Sequence, residues 1–138
     1  MERTLTEREF DADDRQLHEV LGFLTDELER RSVGMKHIMA LSLALEEAFV
    51  NIAHYAYEGR PGKVNVGLLF EGDRVSIILK DQGMAFDPLS MDDPDISAGV
   101  EERKIGGLGI YMIKKSTDFC SYDRVDGYNI LTMTRILN

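Results

Sequence analysis

Ala44-Leu45-Glu46-Glu47-Ala48-Phe49-Val50-Asn51 decides how this chain is read, because it sets a carboxylate and a carboxamide four residues apart inside an apolar helix. Side chains at that spacing share one helical face. The periodicity predicts a helix from the break at Ser32 to Gly34 as far as about Tyr57, with Ile38, Leu41, Leu45, Ala48 and Ile52 on its core face. Ala40, Leu43 and Val50 make the opposite face apolar too, so the helix is expected to be largely buried, with Glu46 turned to solvent. Burying the Glu47 carboxylate without a partner costs several kcal/mol or shifts its pKa until it is neutral. Glu47 and Asn51 must therefore meet a ligand, or pair with neighbouring backbone or an arginine.

Two segments further along favour the ligand. Asp81-Gln82-Gly83 follows an apolar strand, where an aspartate can accept a hydrogen bond from an exocyclic base amine and Gly83 lets backbone approach a flat ligand without a Cβ in the way. Gly106-Gly107-Leu108-Gly109 opens a helix running to Thr117, and glycines ahead of a helix offer unpaired N–H groups and the positive end of the dipole to a phosphate. Together the three segments describe a nucleotide pocket.

The rest of the chain supplies a scaffold for them. Arg3 to Phe10 reads as a strand, followed by a helix from about Asp14 to Arg31 capped by the aspartates at 11, 13 and 14, with Leu17, Val20, Leu21, Leu24 and Leu28 as its buried stripe. Val64 to Phe70 and Arg74 to Lys80 flank Glu71-Gly72-Asp73 as a β-hairpin. Phe119 to Arg124 and Tyr128 to Leu137 close the sheet through a turn at Asp126-Gly127. Met84 to Arg103, with two prolines and no apolar period, reads as a long loop between two ligand motifs, which suggests a lid over nucleotide out to about residue 104. The expected fold is α/β in the α+β sense: a two-layer sandwich with a mixed, mainly antiparallel sheet and helices on one face. No Walker-type glycine loop is present, and a Rossmann fingerprint fails because the third small position is taken by Met112.

Composition narrows the function classes. At 138 residues the whole chain, 1–138, is expected to form one domain. A formal charge of −9, from 25 acids against 16 bases, argues against a direct nucleic-acid footprint. The lone Cys120 excludes an intrachain disulfide and a multi-cysteine metal site, which places the chain in a reducing, cytoplasmic setting. Its charged start and the lack of any run near the roughly 18 apolar residues of a spanning helix indicate neither export nor membrane insertion. His18, His37 and His54 lack the pairing of a zinc site and read as surface or capping residues.

The three motifs, in this order, resemble the signatures of the GHKL (histidine kinase-like, Bergerat-fold) ATPase superfamily. The wording of 44–51, of Tyr55-Ala56-Tyr57, of Asp81-Gln82-Gly83-Met84-Ala85-Phe86-Asp87-Pro88 and of Gly106-Gly107-Leu108-Gly109-Ile110 is similar, within it, to the bacterial anti-sigma factor serine kinases, over about residues 10 to 137. The resemblance implies ATP with Mg²⁺ as cofactor. It assigns Asn51 to the metal, Asp81 to the adenine amine, Gly83 to the side of the base, and Gly106, Gly107, Leu108 and Gly109 to the phosphates. Glu47 is then left as general base toward an attacking hydroxyl. It further implies a homodimeric kinase that phosphorylates a serine or threonine of an anti-anti-sigma protein and binds a sigma factor. Arg15 stands near the start of the first helix, where related proteins carry an arginine used in partner binding. Many superfamily members have Gly-Thr where this chain has Gly127-Tyr128-Asn129, so the resemblance assigns no adenine-side role to Asn129 or Thr132. Histidine kinases of the superfamily need a phospho-acceptor helix pair, for which the chain has no room. Two alternatives stay open: an ATP-binding regulatory module that transfers no phosphate, and a stand-alone ATPase in which Glu47 activates water.

Overall fold

A computed structural model describes residues 3–90 and 107–138. Among these residues five strands form one sheet: β1 (Arg3–Asp11), β2 (Lys63–Glu71), β3 (Arg74–Asp81), β4 (Phe119–Val125) and β5 (Tyr128–Ile136), in the order β1-β2-β3-β5-β4. Every pairing among the described residues is antiparallel, which corrects the expectation of a mixed sheet. The cause is connectivity, since two tight hairpins make β2–β3 and β4–β5 antiparallel and the remaining partners are laid down in the same alternation. At the second hairpin Asp126 (φ 51°) and Gly127 (φ 83°) both take left-handed backbone, the pair a two-residue turn with the sheet's own twist requires.

Three α-helices among the described residues cover one face. They are α1 (Leu17–Arg30), α2 (Met35–Asn51) and α3 (Gly107–Ser116). Val20, Leu24 and Leu28 of α1, at one-turn spacing, meet Ile38, Leu41, Leu45 and Phe49 of α2 and Ile110 and Ile113 of α3 in the core. The sheet answers with alternate residues: Val64, Val66 and Leu68; Val75, Ile77 and Leu79; Leu131 and Met133. The opposite face leaves Leu5 and Phe119 exposed, so the two-layer arrangement expected from the sequence is what forms.

Boundaries differ where backbone hydrogen bonding decides them. A 3₁₀ turn, Asp14–Gln16, precedes α1, and the Asp13 side chain caps it by accepting the Arg15 N–H at 2.9 Å. Helix α1 ends on Ser32 in left-handed backbone (φ 60°), where Ser32 N–H bonds to Glu29 O and Val33 N–H to Leu28 O, satisfying its last carbonyls. Helix α2 runs on into a π-helical turn, Ile52–Ala56. Such wide turns recur at functional sites. His37 corrects its reading as a surface or capping residue: it is buried and its Nδ1 accepts from Arg135 Nε at 2.9 Å, a long-range partner that local sequence does not reveal.

Candidate functional site

The register sets the site. Antiparallel pairing lines up Phe10, Val64, Asp81, Asn129 and Arg124 in one row across all five strands, on the helix-covered face. The apolar half of that row closes the core, and its polar half opens into a cavity of about 370 Å³. Ala48, Ile52, Ile110 and Leu131 give the cavity apolar walls, with Asn51, Tyr55, Asp81, Tyr122 and Asn129 at its polar rim and Met84, Phe86 and Pro88 along one side. A mostly apolar slot with a few converging polar groups suits a flat heterocycle.

Asp81 ends β3 and is 4% exposed. Its Oδ1 accepts from Gly83 N–H at 2.9 Å and from Asn129 Nδ2 at 3.0 Å, while Oδ2 has no hydrogen-bond partner among the described residues. One carboxylate oxygen is thus tied down and the other is left to accept. Asn51, the last residue of α2, lines the cavity with its amide unpartnered among the described residues. The donor set fits an adenosine nucleotide with Mg²⁺: a carboxylate oxygen left to accept from an amine, and an amide oxygen on the same cavity. Magnesium takes such hard oxygen ligands while keeping several waters.

Gly83 has a packing reason for being glycine that the sequence did not disclose. It is buried and off the cavity wall, and a Cβ on it would stand 2.4 Å from the carbonyl oxygen and 2.6 Å from the Cβ of Ala56. The glycine lets the Asp81–Met84 turn press against the π-helical turn, where Met84 N–H bonds to Ala56 O at 2.8 Å. Tyr57 clamps the same junction, its hydroxyl donating to Lys63 O and accepting from Gln82 N–H at 2.9 Å. Gly83→Ala is expected to cost about 1 to 3 kcal/mol through overpacking against rigid backbone. Denaturant unfolding measures it, and an unchanged midpoint would mean that the Ala56 contact gives way freely.

Glu47 lies one turn before Asn51 and against the first turn of α3, where a Cβ on Gly109 would meet its Oε2 at 2.6 Å. No hydrogen bond or ion pair satisfies its carboxylate among the described residues, so no arginine or backbone among them takes the pairing left open by the sequence. Burial raises its pKa above the ordinary carboxylate value, and the charge of Glu46 adds to the rise. Gly109→Ala favours the helix by about 1 kcal/mol but must push the Glu47 carboxylate aside. Fold stability should hold while any reaction using Glu47 slows by about 10²-fold, the cost of a misplacement near 1 Å. A full rate in that variant would detach Glu47 from the chemistry.

The other glycine-motif residues are only partly visible. Gly107 and Leu108 begin the backbone of α3, and Gly106 and the lid segment from residue 91 to 104 lie outside the described residues. Arg15 is 89% exposed and pairs with Asp13 at 2.7 Å, which with the cap bond holds the Asp13 carboxyl down at about 2. Thr132 pairs with Ile78 and Ser121 on the far face of the sheet, away from the cavity. Asn129, Arg124 and Tyr122 are the site residues that the sequence did not disclose. The Asp126-Gly127 turn did place Arg124 opposite Asn129, but only the order β3-β5-β4 brings the pair to Asp81.

Fold and cavity define the class: a two-layer α+β domain built around a mostly apolar slot with a few converging polar groups. The chain matches the histidine kinase-like ATPase domain over residues 10–135, and it belongs to that family. It is 32% identical over 95 residues to the serine/threonine-protein kinase BtrW of Bordetella bronchiseptica, covering 68% of this chain and 67% of that protein. With the serine-protein kinase RsbW of Bacillus cereus it shares 28% identity over 121 residues, 85% of this chain and 69% of the relative. The RsbU and RsbW domains of Rv1364c from Mycobacterium tuberculosis superpose with a TM-score of 0.69 at 18% identity, over 97% of this chain and 32% of that one. This chain therefore spans about a third of that structure, and the likeness there is one of fold. The resemblance read from the motifs is borne out at the level of the family.

Proposed function

We propose that this chain is an ATP-dependent protein serine/threonine kinase acting as an anti-sigma factor, which phosphorylates an anti-anti-sigma protein and binds a sigma factor. The observation that carries the reading is Glu47, half-buried, unpaired among the described residues, and set against the helix start that would face the phosphates. In this reading Asp81 holds the adenine amine, Asn51 holds Mg²⁺ through its amide oxygen, and the start of α3 faces the phosphate chain. The cation, when bound, offsets the charge of the phosphates. Phosphoryl transfer asks mainly for positioning and charge stabilisation, which these elements supply. Glu47 accepts the proton of an incoming hydroxyl.

That hydroxyl comes from another protein. Relatives bearing kinase names support a serine or threonine, and the acidic charge of the chain suits protein partners better than nucleic acid. No described helix is long and apolar enough to cross a membrane, in keeping with a cytoplasmic regulator. The proposal includes a homodimer, with the exposed Arg15 at the start of the first helix among the residues offered to a partner. Incubation with γ-labelled ATP and a candidate anti-anti-sigma protein tests the reading. Label on the partner is expected; label released only as free phosphate would make the chain an ATPase, and no turnover with ATP bound would leave it a nucleotide-reporting module.

A further inference from the structure

We propose that Asn129, fixed by Tyr122 and Arg124, is a positioning residue that makes Asp81 a one-sided acceptor and thereby sets the preference of the cavity for a base carrying an exocyclic amine. The inference rests on the nucleotide reading above and goes beyond it, to residues of the β4–β5 hairpin.

Asn129 is 6% exposed, and its side chain has every hydrogen-bonding position filled. Its Nδ2 donates to Asp81 Oδ1 at 3.0 Å and to Met84 O at 2.8 Å. Its Oδ1 accepts from the Tyr122 hydroxyl at 2.5 Å and from Arg124 Nη1 at 3.1 Å. These partners leave one orientation. Rotated by half a turn, the amide would set its oxygen against a carboxylate and a carbonyl, and its NH₂ against the guanidinium.

Arg124 Nη1 also donates to Gly83 O at 2.8 Å, and Gly83 N–H donates to the same Asp81 Oδ1 at 2.9 Å. Two donors therefore hold Oδ1, both braced by one guanidinium on β4. The carboxylate cannot turn without breaking both. Asp81 lines the cavity, and its Oδ2, with no hydrogen-bond partner among the described residues, is left as the acceptor. A base with an amine at that edge completes the bond, whereas a base with a carbonyl there meets acceptor against acceptor. Removing Asn129 leaves Oδ1 held by the Gly83 N–H alone and opens its other side to water, so the carboxylate can turn by breaking a single bond and the amine loses its advantage even though Asp81 remains.

The test is a ratio of affinities. Calorimetry with Mg²⁺ compares ATP with purine riboside triphosphate, which differs only in lacking the amine, and with GTP. The parent should favour ATP over the amine-free analogue by about tenfold or more, the worth of one hydrogen bond to a charged group. Asn129→Ala should bring that ratio close to one and narrow the gap to GTP, while affinity for the amine-free analogue stays nearly constant. Tyr122→Phe, which removes one hydroxyl and keeps the ring, should move the ratio the same way and serves if Asn129→Ala does not fold. Arg124→Ala should do so as well.

A ratio unchanged in the folded variants would overturn the proposal and leave the nucleotide reading standing. Equal loss for both nucleotides would overturn it too, since that is the mark of a merely structural residue. A parent that binds neither nucleotide, or binds both alike, would remove the adenine reading and the proposal with it.

Discussion

Glu47→Gln retains ATP binding and partner binding and loses phosphate transfer by about 10² to 10⁴-fold, the usual worth of a general base. The amide keeps the shape that lies against Gly109 and cannot accept a proton. Two pH measurements sharpen the expectation. Transfer needs the carboxylate, whose pKa is raised by burial and then by Glu46, so the acid limb of the rate profile should sit above the ordinary carboxylate range and vanish in the variant. For stability the sign runs the other way. A carboxyl with a folded pKa above its unfolded one favours the fold below the unfolded value and loses that favour as pH rises through the folded value. At neutral pH the ionised Glu47 therefore burdens the fold, and Glu47→Gln should melt no lower than the parent. Parent-like transfer, or a variant that unfolds, would make Glu47 a packing residue.

The second large effect is expected at Asp81. Asp81→Asn should weaken ATP by about 1.5 to 3 kcal/mol, roughly 10 to 150-fold, because a hydrogen bond to a buried charged acceptor is lost. The new amide cannot satisfy both sides of the site. If its NH₂ faces Asn129 and Gly83 it opposes two donors, and if it faces the cavity it opposes the adenine amine. Calorimetry on the folded variant decides, and an unchanged affinity would remove Asp81 from base recognition.

The sequence disclosed the features that local spacing controls. Glu47 and Asn51 share a face because they are four residues apart, Asp81 ends a strand because a hairpin of readable length precedes it, and the core positions of α1 and α2 follow from period. What it withheld depends on contacts between distant segments. Gly83 reads as a concession to ligand, and the sequence did not disclose its packing against Ala56, 27 positions earlier by their numbers. His37 looked like a surface histidine, although its partner Arg135 lies 98 positions away. Asn129 and Arg124 sit in a hairpin that could be read, but the side of the sheet it joins is set by long-range pairing, to which no local pattern refers.

That pairing carries a consequence for how folding could be followed. Side chains alternate across a strand, so a slip of β5 by one residue would send Asn129 to the uncovered face and bring Tyr128 or Ile130 into its place beside Asp81. Most ladder hydrogen bonds could re-form in the slipped sheet, and circular dichroism would barely distinguish the two. A fluorescent ATP analogue would, where Asn129 positions Asp81 as proposed, because base recognition then depends on the parity of the last strand. Nucleotide binding is then a clock for strand registration as well as an activity, and its recovery during refolding times the arrival of the final strand in its correct frame.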